Sequence, residues 1–351
     1  MRHRLNVFFR MSRLSHRFAG PLVVCAVFWA SSLHAEGRAN YVLFDPVGSH
    51  DTQVAGINDS GDIGGFYYDS ANVLHAYARS ADGTITSFDA PGAGTGQFQG
   101  TDSEAINTDG TIAGSYYDGA SLTHGYIRDA DGAITVFDPP KSVRGTETNG
   151  ISAKGVVVGT YTDRFGVMHG FARMTGGKIE SLDVPSATDT FANCVNGSRE
   201  IAGTFYDAGS VMHGYVRAPD GTYTAFDPPN STQTFVYAVN AHGVVIGAFN
   251  DGHQDHGYIR DANGTITAFD PTGSVDTYAS GINAKGVVVG GYTDRHGVIH
   301  GYIRAVDGTI KTFNAPGAEK GTFPISINAR GEIAGKYRDD NFLGHGFLRT
   351  K

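Results

Sequence analysis

From about residue 40 to the end of the chain, apolar and polar positions alternate in runs of four to seven residues, and turn residues separate the runs. The segment "GVVVGTYTD" (155–163) is followed by a short turn, then "HGFAR" (169–173), a second turn, and "KIESLD" (178–183). The runs are rich in β-branched and aromatic residues and too short for helices, and no stretch sustains a helical period. Asp-Gly or Asn-Gly stands between many neighbouring runs, as in "RDADGAITVFD" (128–138). That pair between two strand-like runs predicts a β-hairpin with a type I′ turn, which has positive φ at both central residues. One unit therefore reads as four short antiparallel strands: a, ending in Ile/Val-Asn; b, of the form VVVGxY; c, HGYIR; and d, TITxFD.

The unit repeats. His-(Gly/Ala)-(Tyr/Phe)-x-Arg occurs at His75, His124, His169, His213, His256, His300 and His345, a period of about 45 residues. Four strands in such a period indicate a propeller blade. The fold expected is all-β: a seven-bladed β-propeller of four-stranded antiparallel blades. "YVLFD" (41–45) is a lone d strand, and the chain stops after a c strand, "HGFLR" (345–349). Pairing these two segments would complete the last blade and remove an open sheet edge. An open solenoid or several small domains are the alternatives, and neither explains why the strand missing at one end is present at the other.

Residues 1–35 follow different rules. "MRHRLNVFFRMSRLSHR" carries five arginines and no acid, "PLVVCAVFWASS" is apolar, and "SLHA" ends in a small residue. These regions predict a secretory signal peptide cleaved after Ala35. The apolar run of about a dozen residues is short for a membrane span, which needs roughly 20. Residues 36–351 are then a single secreted or periplasmic domain. Loss of the five arginines takes the formal charge from −8 to −13. Such an acidic chain disfavours nucleic acid as a partner. Cys194 is the one cysteine left, so no intramolecular disulfide forms. A monomer is expected.

Within each unit the repeated histidine shares one face of strand c with the Tyr and the Arg. An Asp closes strand b at Asp69, Asp118, Asp163, Asp207, Asp251, Asp294 and Asp339. A second closes strand d at Asp45, Asp89, Asp138, Asp183, Asp227 and Asp270, with Asn314 in the seventh place. All should lie at the histidine's end of the blade. Residues present in every unit are expected to be structural, as a hydrogen-bonded Asp–His–turn group. The competing readings are a metal site or a catalytic His–Asp pair. A seven-fold circle spreads such ligands apart, so no metal, cofactor or catalytic residue is assigned. "DADG" (129–132) lacks the run of oxygen ligands that a calcium loop needs. The Gly or Ala after each histidine predicts a neighbouring backbone packed close to it. Asn58, Asn107, Asn196, Asn240, Asn283 and Asn328, with Ser152 in the third unit, precede turns whose backbone their side chains would cap. Cys194 reads as a small buried hydrophobe.

Specificity on a repeated scaffold resides in its variable loops. The d–a and b–c loops share one face and vary most. Lys141 and Arg144 in "PPKSVRGTE", His253 in "NDGHQDHG" and His296 in "TDRHGVIHG" are the loop candidates for binding.

The seven His motifs, with "DGTIT" and "GINAKGVVVG" beside them, resemble the HAF family of probable extracellular repeats in bacteria, over residues 41–349. Most units here carry Gly and Tyr where that pattern has Ala and Phe; "HAYAR" at His75 is nearest. The resemblance implies secretion and repeats, with no activity and no catalytic residue to carry over. Two function classes stand. One is a binding scaffold for an envelope or extracellular protein or glycan. The other is an extracellular polysaccharide-active hydrolase or lyase at the channel mouth. An odd-one-out acid or histidine cluster on the axis would favour the second.

Overall fold

In the computed structural model residues 39–351 are described. The expected signal peptide, residues 1–35, lies outside them. Every regular element among the described residues is a β-strand. Six units fold in the order a-b-c-d, and the last in the order a-b-c. In the third these are Thr146–Ile151, Val157–Thr162, Met168–Arg173 and Ile179–Leu182. All neighbours within it are antiparallel, with Tyr161 opposite His169 and Gly170 opposite Leu182. Five sheets have four strands and one has nine.

The nine-stranded sheet joins the first two units through a single parallel bridge, Leu74 to Gly100. Gly100 has φ +115°, and a Cβ there would stand 2.1 Å from the Leu74 carbonyl oxygen. Only glycine lets the two backbones meet so closely. Where Asp takes this place, its carboxylate bridges the units instead. Asp51 accepts from Gly344 N–H at 3.2 Å, Asp189 from Met168 at 2.9 Å and Asp276 from Asp255 at 3.1 Å.

The first and last strands of the described residues share a sheet. Asn40–Phe44 runs antiparallel to Gly344–Thr350, from Asn40 opposite Thr350 to Phe44 opposite Gly346. Inner strands of successive units touch from unit to unit, and Gly321–Ile327 of the last touches Asp51–Ile57 of the first.

Strand c supplies most of the glue between sheets. Its tyrosine is fully buried in five units and donates to a backbone carbonyl of strand a, as Tyr126 Oη does to Asp102 at 2.8 Å. Its arginine lies over the strand-d ring of the preceding unit: Arg128 over Phe88 at 4.7 Å, Arg349 over Phe313 at 5.0 Å. Arg217 departs from this and covers Tyr223 of its own unit. The glycine after the histidine is crowded by a strand-d ring in five units, whereas Gly170 of the third meets backbone as expected, its Cβ position 2.9 Å from the Leu182 carbonyl oxygen. A Cβ on Gly125 would stand 2.7 Å from the Phe137 ring, and Gly214, Gly257 and Gly301 meet Phe226, Phe269 and Phe313 in the same way.

The c–d turns are hairpins of a type other than the one expected. Only the glycine has positive φ, as at Gly132 (+98°) and Gly264 (+98°). Gly132 N–H donates to Asp129 at 2.9 Å, and Asp129 N–H to Ala133 at 2.8 Å. This is a turn closed by a glycine bulge, which has one left-handed residue where type I′ has two.

The asparagines ending strand a do more than cap turns. Asn240 Oδ1 accepts from His242 N–H at 2.9 Å and Val244 N–H at 3.0 Å, as expected. Its Nδ2 reaches on to the next unit and donates to the Asn283 carbonyl at 3.2 Å. Asn283 donates to Asn328, Asn328 to Asn58, Asn58 to Asn107 and Asn196 to Asn240, all at 3.1–3.2 Å, with a longer Asn107 bond to Ser152 at 3.5 Å. These side chains border a cavity of about 280 Å³ lined from all seven units. The circle lacks one bond, where Ser152 has no amide to offer Asn196. Ser152→Asn should supply it and stabilise the fold by about 1 kcal/mol, the usual net value of a hydrogen bond. Urea unfolding would show this as a raised midpoint at unchanged slope.

Candidate functional site

Two sets of side chains carry chemistry, and the repeat tells them apart. The first is the histidine group, built alike in every unit. His124 Nδ1 lies 2.8 Å from Asp138 and its Nε2 3.5 Å from Asp118. The ring stacks on Tyr116 at 5.0 Å. Asp118 also accepts from Ala120 and Leu122 N–H at 2.8 and 2.9 Å, which fixes the b–c turn. The same contacts hold at His75 with Asp89 and Asp69, His169 with Asp183 and Asp163, His213 with Asp227 and Asp207, His256 with Asp270 and Asp251, and His345 with Asp45 and Asp339. His300 pairs with Asp294, and Asn314 Oδ1 takes the second place at 2.9 Å. Each imidazole is therefore held from both nitrogens and covered on one face. A metal ligand needs a free nitrogen lone pair and a general base needs access, so neither role suits this geometry. No group of three or more His, Cys, Asp or Glu among the described residues is arranged to hold a metal ion.

Charge follows from the contacts. Burial works to lower the pKa values of His213, His256 and His345, but the hydrogen bonds and charges of their paired aspartates outweigh it and raise them. Two turn N–H bonds and the imidazole outweigh desolvation at Asp251 and bring it down to about 2.

Strand a adds a threonine that motif reading missed. It stands six residues before each terminal Asn or Ser: Thr52, Thr101, Thr146, Thr190, Thr234, Thr277 and Thr322, all buried. Thr52, Thr146 and Thr234 donate to Asp45, Asp138 and Asp227 at 2.5–2.6 Å and so anchor the aspartate that holds the histidine, whereas Thr101, Thr190 and Thr322 accept the N–H of Ala90, Val184 and Ala315 just after strand d.

The loop candidates are all exposed and do not meet. Lys141 and Arg144 lie in one d–a loop, where Arg144 N–H donates to the Thr162 carbonyl at 3.2 Å. His253 and His296 sit at the tips of separate b–c turns, and His296 Nε2 accepts from Arg295 at 3.3 Å.

The second set breaks the repeat. Five residues before the terminal Asn or Ser, strand a carries Gln53, Asp102, Glu147, Phe191, Phe235, Tyr278 and Phe323. Three residues before it stand Ala55, Glu104, Asn149, Asn193, Tyr237, Ser280 and Ile325. In six units the latter is a bulge residue, where the ladder to strand b shifts by one. In the second unit the strand is interrupted, leaving Gly100–Thr101 and Ala105–Ile106. Asp102 Oδ1 accepts from Ser115 N–H at 2.9 Å. The bulge side chains reach round the axis to the next inner strand: Asn149 to the Ala192 carbonyl at 3.0 Å, Asn193 to Val236 at 2.8 Å, Ser280 to Pro324 at 2.6 Å.

Acids occupy these positions only in the second and third units. Burial, then the opposing bond from Ser115, then the Glu147 charge act on Asp102, and the result is a raised pKa. Burial and the charges of Asp102 and Glu147 hold Glu104 well above its ordinary value. On strand b of the last unit stands Lys336, brought down to about 8 by burial and by neighbouring Arg338, against the pull of Asp51. Both cations lie over Phe323, at 5.6 Å for Lys336 and 5.4 Å for Arg338. Aligning the units on the terminal asparagine and looking for odd residues would have found this set. The loops drew attention because they vary in length, whereas the inner strand varies in chemistry at fixed length.

Comparison with solved structures places this architecture. A catalytically inactive variant of virginiamycin B lyase from Staphylococcus aureus, with quinupristin, aligns over 90% of this chain and 100% of its own, at TM-score 0.60 and 15% identity. The β-propeller domain of the Trilobed protease from Pyrococcus furiosus, which has an open velcro topology, aligns over 85% and 95%, at TM-score 0.58 and 11% identity. The chain is a β-propeller. TolB from Acinetobacter baumannii aligns over 84% of this propeller and 64% of its own length, at TM-score 0.50 and 14% identity. Identities this low carry the fold alone. No protein-family model and no curated protein matches the sequence.

Proposed function

We propose that this propeller has seven blades, is closed by Asn40–Phe44 on the last blade, and acts as a secreted binding scaffold for an envelope or extracellular partner. The observation that carries the reading is the division of labour between the two sets of side chains. The His–Asp groups are saturated by their own unit in every repeat, which suits scaffold. Chemical variety is confined to the inner-strand positions and to the loops, which suits recognition. The pairing of Asn40–Phe44 with Gly344–Thr350 and the asparagine circle support a closed ring. The leader-like composition of residues 1–35 and the resemblance to HAF repeats support export.

A second reading is an extracellular polysaccharide-active hydrolase or lyase. Asp102, Glu104 and Glu147, acids that break the repeat on the axis, are what favour it. A propeller that is a lyase, virginiamycin B lyase, is among the similar folds.

A thermal-shift screen of the purified protein against glycans, peptidoglycan fragments and divalent metals, with and without chelator, separates these readings. A ligand at a hundredfold excess over its Kd stabilises by about 2.7 kcal/mol. An organic ligand should raise the melting temperature, and chelator should leave it unchanged. Chelator-sensitive melting would overturn the structural reading of the histidines. Cleavage of a stabilising glycan would replace the scaffold with the enzyme.

A further inference from the structure

A cavity of about 360 Å³ lies in the groove between the second and third units, at the end of strand c away from the histidine groups. That volume falls in the usual range of small-molecule sites, about 300–1,000 Å³. Asp109 and Asp129 line it from the second unit, Lys154 and Arg173 from the third. Several equivalent grooves are filled by the protein itself. Glu200, four residues after the terminal Asn of the fourth unit, would stand 3.0 Å from a Cβ on Gly243 of the fifth. Glu332 of the last unit would stand 3.6 Å from one on Gly61 of the first. Between the third and fourth units Arg217 pairs with Glu180 at 3.5 Å. The second unit has Thr111 where those glutamates stand, and only Thr175 of the third unit itself comes within 4 Å of a Cβ on Gly155.

Two groups in this cavity lack partners that their counterparts have. Arg79, Arg128, Arg260 and Arg304 each donate to the carbonyl of the following residue at 3.2–3.4 Å. The Arg173 guanidinium, half-buried over the Phe137 ring, makes no hydrogen bond and no ion pair among the described residues. Asp261 accepts from Thr265 N–H at 2.8 Å and caps its own turn. The matching Ala133 N–H of the second unit goes to Asp131 alone, which leaves the Asp129 carboxylate without a hydrogen bond among the described residues. Burial lowers the Arg173 pKa against the pull of Asp129, so the two charges sense each other, yet they stand too far apart to pair.

This chemistry selects a neutral ligand rich in hydroxyls. The two acids and two cations of the lining sum to zero, so an anion would be repelled by Asp109 and Asp129 and a cation by Lys154 and Arg173. A hydroxyl donates and accepts at once, and so bridges a carboxylate and a guanidinium that do not reach each other. Thr111, Thr135 and Thr175 add hydroxyls of their own, and the buried Ile127 offers an apolar surface to the C–H face of a ring. We propose that the groove between the second and third units binds a neutral sugar, whose hydroxyls donate to Asp109 and Asp129 and accept from Lys154 and Arg173. This rests on reading the propeller as a binding scaffold, and it names the ligand class and the place.

Saturation-transfer NMR and calorimetric titration of the purified chain with glucose, galactose, mannose and N-acetylglucosamine test it. The uronate and the 2-amino form of each sugar, which add an anion or a cation to the same ring, are the controls. A neutral sugar should bind, and its charged forms should bind at least about tenfold more weakly. Asp129→Asn and Arg173→Gln should each weaken the neutral sugar at least about tenfold, as expected for a lost charge-assisted hydrogen bond. Thr111→Glu, which copies the fourth and last units, should fill the groove and abolish binding without lowering the melting temperature. If Arg173→Gln fails to fold, Asp129→Asn and Thr111→Glu carry the same test. Binding that survives both of these, charged forms binding as tightly as the neutral one, or no response to any neutral sugar overturns the proposal. A stabilising ligand in the thermal-shift screen whose effect Thr111→Glu leaves unchanged, with no neutral sugar bound, sinks this inference and leaves the scaffold reading standing.

Discussion

Deleting residues 40–45 lowers the melting temperature by about 10 °C or more, because it strips a whole strand and its packing from the sheet that joins the chain ends. Five residue pairs link Asn40–Phe44 to Gly344–Thr350. The Phe44 ring lies against Gly346, where a Cβ would stand 2.5 Å away. It meets Tyr77 edge-on at 6.2 Å and carries Arg79 at 5.0 Å, so it ties the last sheet to the first. Asp45 holds His345 at 2.8 Å and accepts from Thr52 at 2.6 Å. Truncating a packed phenylalanine alone costs about 3–5 kcal/mol. The deletion adds a lost ladder and an exposed sheet edge. In a domain this large each kcal/mol moves the midpoint by about 2–4 °C. Phe44→Ala should give roughly half the effect and Asp45→Asn a smaller one. A truncated chain that melts with the intact one would refute closure, and aggregation at lower temperature would support it.

The architecture was legible because each level of the sequence repeats the same message. Strand length, turn glycines and the 45-residue period agree, and the unpaired d strand at one end matches the missing one at the other. Particular contacts were harder to read. The glycine after each histidine signalled close approach, but nothing local says that a phenylalanine ring from strand d, Phe137 for Gly125, fills the space. The turn asparagines announced their caps, whereas the bond from Asn240 to Asn283 depends on a neighbour 43 residues away. The second-unit inner strand shows the limit most clearly. "TDSEAIN" reads as an ordinary strand, yet Asp102 takes Ser115 N–H with its carboxylate and the regular strand is interrupted. The charged axial residues stayed hidden because each is unremarkable in its own unit. They matter only when the ring brings Lys336 of the last unit to Gln53 of the first.

The melting temperature should peak at about pH 4–5 and fall on both sides, because the paired aspartates lose their contribution below this range while two desolvated acids and three histidines lose theirs above it. Asp69, Asp118, Asp163, Asp207, Asp294 and Asp339 all have lowered pKa values, and Asp251 lies at about 2. Their contribution is complete above the unfolded value of about 3.9 and is lost as pH falls through the folded values. The raised pKa values of His213, His256 and His345 work in the opposite sense. Their contribution is complete below the unfolded value of about 6.5 and is lost as pH rises through the folded ones. Asp102, raised to about 7, and Glu104 add to the alkaline loss, since a carboxyl held protonated by the fold destabilises it once pH exceeds its unfolded value of about 3.9 for Asp or 4.3 for Glu. Lys336 opposes this only above about pH 8. Scanning from pH 3 to 9 at constant ionic strength would trace the profile. Replacing His213 and His256 with Gln should lower the peak and flatten the fall between about pH 6 and 8, the window in which a raised imidazole releases its proton. A melting temperature that rises steadily from pH 5 to 8 would show that the histidines enter the fold neutral. The carboxylates would then hold neutral imidazoles by hydrogen bonding alone.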